Sequence, residues 1–407
     1  MRIQGNNAFA ATIVAEDSMN DMAGTRIYLD HNATAPLTDA ARRAMVDALT
    51  AANPSSVHAE GRAARRIVEA ARRDVAALVN GQPAHVIFTS GATEAAATLL
   101  SPHWTMGRAP LTFSRAYISA ADHPCILSGG RFPGEAVEKI GVDADGLVDL
   151  HALERALASH DHAQGLPLVA MHVANNETGV IQPVEQIGAL VKNAGGVVIL
   201  DAVQAAGRIP LDISAGYADF FILSSHKIGG PKGAGAIVGA ADLMMPRALV
   251  TGGGQEKGHR SGTENVPAIA GFGAAACEAA ATPAQADVVR AKRERIEAAI
   301  RRLVPGAMIY GQRAPRLPNT TFFSIPGMKA ETAQIAFDLA GIALSAGSAC
   351  SSGKVGPSHV LQAMGFGDQA SALRVSIGLQ TTDEEIEVFA AALEKIVARR
   401  KATTEAA

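Results

Sequence analysis

Lys227 and Asp201 each follow an apolar run, and the two together suggest a definite chemistry. Phe220-Phe221-Ile222-Leu223 reads as a buried strand. Ser224-Ser225-His226-Lys227 follows it and leads into the glycine-rich turn Ile228-Gly229-Gly230-Pro231-Lys232-Gly233. Gly196-Val197-Val198-Ile199-Leu200 is a continuous apolar run of the buried-strand kind, with Asp201 directly after it. In open α/β sheets, ligands bind outside the carboxyl ends of the strands. A lysine partly desolvated there loses some preference for its charged form, and a neutral amine can form a Schiff base. A carboxylate on the next strand end can keep a pyridinium nitrogen protonated, so that the ring accepts electrons. Pyridoxal phosphate needs both groups. Taken singly, each has a plainer reading: a solvated loop lysine, and an aspartate in a helix cap or turn.

Other residues could complete such a site. Thr89-Ser90-Gly91-Ala92-Thr93-Glu94 ends a strand and opens a helix. Free N–H groups and the helix dipole suit a phosphate there, although an ordinary capped helix start has the same appearance. Gly252-Gly253-Gly254 and Gly229–Gly233 lack the spacing of a Walker loop or a G-x-G-x-x-G turn, which excludes a nucleotide-loop reading. His123 could stack on a flat ring and move protons, or simply be solvated. Asn176 and Gln204 follow strands and could reach a ring oxygen. Arg374, inside an apolar strand pattern, either pairs with an acid or clamps a carboxylate. Cys350, in Gly347-Ser348-Ala349-Cys350-Ser351-Ser352-Gly353, is the best candidate for a reactive thiol. Cys277, in an Ala-rich helix, is expected to be a buried hydrophobe.

These residues need a large framework to position them. The chain has 407 residues, 48% hydrophobic and 18% charged, which suits a sizeable core and two domains. A net charge of −3 gives no electrostatic reason to expect nucleic acid or an anionic membrane as partner. Three scattered cysteines argue against a disulfide framework or a metal site and for a reducing, cytoplasmic setting. No apolar run reaches the roughly 20 residues of a membrane span. Residues 1–25 have neither a secretory core nor a transit-peptide composition and are expected to be a disordered tail. Strands are expected at 85–89, 115–119, 168–173, 196–200, 220–223 and 235–238, with helices at 61–80, 149–159 and 183–194. This alternation implies an α/β fold, a large domain with a mostly parallel sheet flanked by helices. Beyond about residue 280, helices at 284–303, 330–340 and 383–400 and strands at 307–310, 319–325 and 372–378 imply a smaller α+β domain. Thr382 with Glu385 forms a capping-box pattern for the last helix. The expected division is 38–280 for the large domain and 26–37 with 281–407 for the small one.

Taken in order, several motifs resemble the cysteine desulfurases of the NifS/IscS type, within the class V aminotransferases. They are Tyr28-Leu29-Asp30, Asn53-Pro54-Ser55-Ser56 with His58, Ser90-Gly91-Ala92-Thr93-Glu94, Asp122-His123-Pro124, Asn175-Asn176-Glu177-Thr178-Gly179-Val180, Asp201-Ala202-Val203-Gln204, Ser225-His226-Lys227, Arg260-Ser261-Gly262-Thr263 and Gly347-Ser348-Ala349-Cys350. The resemblance spans about residues 26–400. It implies a fold-type I pyridoxal phosphate enzyme that is a homodimer. Lys227 would carry the cofactor, Asp201 would meet the ring nitrogen and His123 the ring face. Asn176 and Gln204 would reach the ring oxygen. Ala92, Thr93, Ser224, Ser225 and His226 would surround the phosphate, with Thr263 reaching the partner's site. Arg374, with Asn32 and Asn176, would hold the substrate carboxylate. Cys350 would accept sulfur as a persulfide, assisted by His123 as base, pass it to an iron–sulfur scaffold or other acceptor protein, and could share a cluster with a scaffold transiently.

Two departures from the family pattern stand out: a longer N-terminal tail, and Leu127–Gly134 where a longer helix is usual. A transaminase or selenocysteine lyase would share the cofactor site, and the cysteine-bearing loop argues against the transaminase. A non-enzymatic sulfur-binding scaffold would have no use for the Lys227–Asp201 pair.

Overall fold

The computed structural model describes residues 26–347, 356–367 and 370–405, so the N-terminal tail and Cys350 lie outside the described residues. The strand Val197–Asp201 runs within a nine-stranded sheet. Leu166–His172 and Phe220–Ser224 flank it in parallel. Ala109–Ser119 and Val137–Ile140 continue the parallel run. Antiparallel strands complete both margins, His103–Met106 and Met244–Pro246 on one side and Gly235–Gly239 and Val86–Thr89 on the other. The sheet is therefore parallel at its centre and mixed as a whole. Two successive reversals bring Val86–Thr89 back to the direction of Phe220–Ser224. Thr89 pairs with Gly235, and Gly235 with Ser224. That register puts the Ser90-Gly91 turn on the same edge as Asp201 and Lys227.

Both faces of the sheet are covered, which is why its central strands read as unbroken apolar runs. Val198, Leu200, Phe221, Leu223, Val169 and Met171 enter one buried cluster. Val197, Ile199, Phe220, Ile222, Leu168 and Ala170 enter the other. On the first face, helix Ala59–Ala77 buries Ala64, Val68, Ala71 and Val75 at spacings of three and four residues. It lies against helix Val266–Ala281, whose Asn265 side chain accepts from the Ala268 N–H and caps the start. Ala275, Ala276 and Ala279 face inward, whereas Cys277 is exposed, contrary to expectation. An Ala-rich helix buries one side, and Cys277 lies on the other.

The second sheet is antiparallel, ordered Met308–Ile309, Thr320–Ser324, Leu373–Ser376, Ser345–Ala346. Helices Ala286–Leu303, Ala330–Leu339 and Asp383–Glu405 accompany it. The N-terminal strand Ile27–Tyr28 pairs in parallel with Ile342–Ala343, and Asp30 bridges to Ser376. Ile27 and Leu29 thereby join the buried cluster formed by residues 289–397. The capping box forms: the Thr382 N–H donates to Glu385 Oε2 at 2.8 Å, and the Glu385 N–H to Thr382 Oγ1 at 3.2 Å.

Three features were not expected from the sequence. Ala109–Ser119 is longer than the run at 115–119 and forms a hairpin with His103–Met106 around Gly107, at φ +59°. Thr38 caps an additional helix, Asp39–Ala48. The segment after His123 is a four-residue helix, Pro124–Leu127, stopped by Gly129 and Gly130 at φ +71° and +59°.

A close helix crossing sets one stability prediction. A Cβ on Gly273 would stand 2.5 Å from the Ala71 Cα. Gly273→Val should therefore cost about 1–3 kcal/mol through overpacking. Gly254→Ala, with open space around it and φ −90°, should stay within about 0.5 kcal/mol of wild type. Urea denaturation midpoints measure both.

Candidate active site

Loops from the carboxyl ends of the parallel strands meet at one edge of the sheet. They enclose a cavity of about 570 Å³ lined by Lys227, Asp201, His123, Asn176, Gln204 and Arg374, among others. Lys227 ends the short turn Ser225–Lys227 that directly follows its strand. Its Nζ donates to the carbonyls of Asn32 at 2.6 Å and Ala33 at 2.9 Å. Gln204 Nε2 donates to the same Asn32 carbonyl at 3.0 Å. The N-terminal loop is thus fastened to the large sheet through the lysine and the glutamine.

Asp201 is buried, and one of its oxygens accepts from the Val203 N–H at 3.0 Å. Burial pushes its carboxyl up from 3.8 to about 6, and nearby Asp122 adds to the rise. The Val203 N–H, His172 and Lys227 oppose it. A two-unit rise corresponds to roughly 3 kcal/mol against the charged form. Below it lies a fully buried polar chain. Asp122 accepts from the Ser119 N–H at 2.7 Å, the His172 N–H at 2.8 Å and His172 Nδ1 at 2.5 Å. His172 Nε2 meets Gln182 Nε2 at 3.1 Å and must be the acceptor there, since an amide nitrogen only donates.

His123 caps the four-residue helix. Its Nδ1 accepts from the Cys125 N–H at 3.2 Å and lies 3.1 Å from Cys125 Sγ. Burial lowers the imidazole to about 4, helped by Lys227 and His359. Nδ1 is thus engaged at Cys125, and burial favours the uncharged ring. His226 is also lowered to about 4, by burial and then Lys227 and Lys232, and its Nδ1 meets Thr34 Oγ1 at 3.1 Å.

Across the cavity, helix Ala92–Leu99 starts at Gly91 without a side-chain cap, and Gly91, Ala92 and Thr93 line the cavity. Glu94 also lines the cavity, its carboxylate accepting from the Ser90 N–H at 2.8 Å and Arg260 Nε at 3.0 Å. Gly235 approaches so closely that a Cβ there would come within 2.6 Å of Gly91. Ser224 and His226 line the same side. Glu256 anchors the loop bearing Arg260, at φ +48°. Its carboxylate takes both Arg72 Nη atoms at 2.7 Å and the Phe88 N–H at 2.9 Å.

Two expected contacts are placed elsewhere. Ser225 is fully buried and does not line the cavity; its hydroxyl lies where a Cβ of Gly230 would be, 2.1 Å away. Asn32 is also fully buried, its amide bonded to Asn176 O, Thr320 Oγ1 and Asn319 Nδ2, which leaves its backbone carbonyl as the group near Lys227. Thr263, expected at the partner's site, is exposed. Arg374 lines the cavity from the second sheet. Its Nη2 donates to Asp30 Oδ1 at 2.8 Å and Ser345 Oγ at 3.1 Å, and its Nη1 to Asn176 O at 2.9 Å. Its buried Nε has no hydrogen-bond partner among the described residues. Sequence reasoning missed Arg208, which donates to Gln204 O and Oε1 at 2.6 Å each and falls to about 10 through burial and then Arg374. The signal was its position one helical turn after Gln204.

Residues 27–389 match the family described as aminotransferase class-V. A cysteine desulfurase of Frankia sp. (strain EuIK1) is 39% identical, with 93% of each chain covered. One from Cereibacter sphaeroides is 38% identical, covering 93% of this chain and 97% of that one. The chain belongs to the class-V aminotransferases, among the cysteine desulfurases. A NifS-like protein from Rickettsia africae superposes with a TM-score of 0.81 at 34% identity, covering 92% of this chain and 99% of that one.

Class-V enzymes are generally dependent on pyridoxal phosphate, and the cavity fits that group. The uncapped helix start, approached closely by Gly235, leaves room and N–H donors for an anion. The strained Asp201 carboxyl would be relieved by a protonated ring nitrogen. Lys227 supplies an amine at the same edge.

The strain on Asp201 can be measured in protein stripped of ligand. Its folded value, about 6, exceeds the ordinary 3.8, so between these values the folded chain holds a proton that the unfolded chain releases. This group's contribution to stability therefore falls as pH rises through the window. Stripped Asp201→Asn should melt above stripped wild type at pH 8 and match it near pH 4. Equal melting temperatures at both values would show that the carboxyl carries no such strain.

Proposed function

We propose that this chain removes sulfur from L-cysteine, giving L-alanine and a persulfide on Cys350 that passes to an acceptor protein. The observation that carries the reading is the Lys227–Asp201 pair at one cavity edge, in a chain 39% identical to a cysteine desulfurase along most of its length. Bound pyridoxal phosphate supplies the electron sink that stabilises negative charge on the substrate. Lys227 would hold the cofactor covalently and, once released, would take the substrate Cα proton. Asp201 would keep the ring nitrogen protonated. His123 would meet the ring, Asn176 and Gln204 its oxygen, and Ala92, Thr93, Ser224 and His226 the phosphate. Arg374 would receive the substrate carboxylate, with Asn176 beside it.

Cys350, as thiolate, attacks the substrate sulfur. A sulfur–sulfur bond forms, the substrate Cβ–S bond breaks, and the carbon fragment keeps the electron pair and is protonated to alanine. An ordinary thiol, with pKa near about 8.5, is a few per cent thiolate at pH 7. In this reading the enzyme is a cytoplasmic homodimer, with Thr263 of each chain reaching the other's site. An iron–sulfur scaffold is one class of acceptor. Residues 38–280 form the large domain and 26–37 with 281–407 the small one; the joining of Ile27 and Leu29 to the 289–397 cluster supports this division. Among the described residues, no helix is long and apolar enough to cross a membrane.

Two measurements test the reading. Borohydride reduction of the purified yellow protein should fix the cofactor to the Lys227 peptide; a label on Lys232 or Lys192 would move the site. Cys350→Ala should keep the visible spectrum but lose at least about 100-fold in alanine production, because covalent catalysis loses its nucleophile. Mass spectrometry after brief exposure to cysteine should find one added sulfur on the Cys350 peptide of wild type. Wild-type desulfuration by Cys350→Ala, with no keto acid consumed, would replace the persulfide route by a lyase that needs no protein thiol.

A further inference from the structure

Cys125 lines the same cavity as Lys227 and Asp201, and its place beside His123 settles which nitrogen of that ring bears the proton. The backbone N–H of Cys125 can only donate, and it points at His123 Nδ1 from 3.2 Å. Nδ1 is therefore an acceptor, and the proton of the neutral ring is on Nε2. With Nδ1 offering a lone pair, the Cys125 thiol 3.1 Å away can bond to it only as a second donor, sharing that lone pair with the amide. We propose that Cys125 is a positioning residue, whose amide and thiol together lock His123 as the Nε2–H form, so that the ring presents a hydrogen-bond donor to the substrate. This rests on the reading above that His123 belongs to the cofactor and substrate site.

The thiol adds to what the amide does alone. A donor at Nδ1 stabilises the neutral ring and is repelled by the N–H that a cationic ring would place there. The other charged groups act in the same direction or face the ring across the cavity. Lys227 follows Phe220–Ser224, separated from the strand before His123 by Leu166–His172 and Val197–Asp201, and His359 belongs to the helix His359–Ala363, where its Nε2 meets Asp122 O at 2.9 Å. Asp201 and Arg374 line the same cavity. A thiolate at Cys125 would need an imidazolium partner, and a ring lowered to about 4 does not supply one near neutral pH. The contact is a thiol donating to an imidazole.

The test uses the full-length holoenzyme with ¹⁵N-labelled histidine. His123 resonances are assigned by their loss in His123→Gln. Wild type should show protonated Nε2 and unprotonated Nδ1 from pH 6 to 9. Cys125→Ala and Cys125→Val lack the donor, the second without opening space for water. Both should raise the His123 titration midpoint by about 0.5 to 1 unit, the shift expected for one modest hydrogen bond. The acid limb of kcat should move with it, while KM for L-cysteine stays put. Cys125→Ser restores a donor and should restore the wild-type midpoint. A protonated Nδ1 in wild type overturns the proposal, as does an unchanged midpoint in both the alanine and valine variants. The nitrogen spectra do not depend on turnover. Inactive protein with the expected spectra would therefore count against the functional reading alone, and active protein with unmoved spectra against Cys125 alone.

Discussion

Charge held out of water at the carboxyl ends of parallel strands is the constraint on which the cavity depends. Asp201 stands at the end of a strand with apolar cover on both faces, and burial opposes its ionisation by roughly 3 kcal/mol. Lys227, one strand away, is held by two backbone carbonyls from the N-terminal loop. The buried Asp201 carboxyl costs stability in the ligand-free chain, and a bound group that brings positive charge to it would relieve that cost.

The same economy explains the layers beneath. Asp122 and His172 are more deeply buried than Asp201, yet they are satisfied by three donors and by Gln182. A buried polar network with every member bonded is rigid, and here it fixes the strand ends that carry His123, Asn176 and Asp201. Glu256 does similar work for the loop bearing Arg260. Its left-handed backbone, costly for a residue with a Cβ, is held by Arg72 and the Phe88 N–H. Arg260 in turn pairs with Glu94, whose carboxylate stands beside the uncapped helix start at Gly91.

Much of this was legible in the sequence because it is local. Buried parallel strands announce themselves as unbroken apolar runs, and the residues that follow fall at one edge by topology alone. That placed Lys227, Asp201, His123 and Asn176 together before any coordinates. What stayed hidden depends on side-chain direction or on distant partners. Ser225 and Ser224 are neighbours, yet only Ser224 lines the cavity, because Gly230 leaves a space that the Ser225 hydroxyl fills. Asn32 looked like a ligand for substrate, but its amide is consumed by Thr320, Asn319 and Asn176 from other elements. Cys277 was misjudged because an Ala-rich helix gives little contrast between its two faces. The hairpin with Ala109–Ser119 is hidden for a related reason: its first strand, His103–Met106, is mostly exposed and carries no apolar pattern.

Arg374 shows how the two halves of the fold meet in one guanidinium. It belongs to the antiparallel sheet, where Ser345 is its register partner, but it reaches Asn176 at the end of a strand of the large sheet. Asp30, from the N-terminal segment, supplies the counter-charge at 2.8 Å. A buried arginine without that carboxylate would be penalised by several kcal/mol, so Asp30 is what allows the cation to wait there. Asp30 and Ser345 occupy Nη2, and the Asn176 carbonyl occupies Nη1, leaving Nε without a bond among the described residues. Nε is itself buried, on the guanidinium edge that it shares with Nη2, so in the proposed reaction a substrate carboxylate reaches this cation by competing with Asp30 and Ser345 at Nη2 or with the Asn176 carbonyl at Nη1.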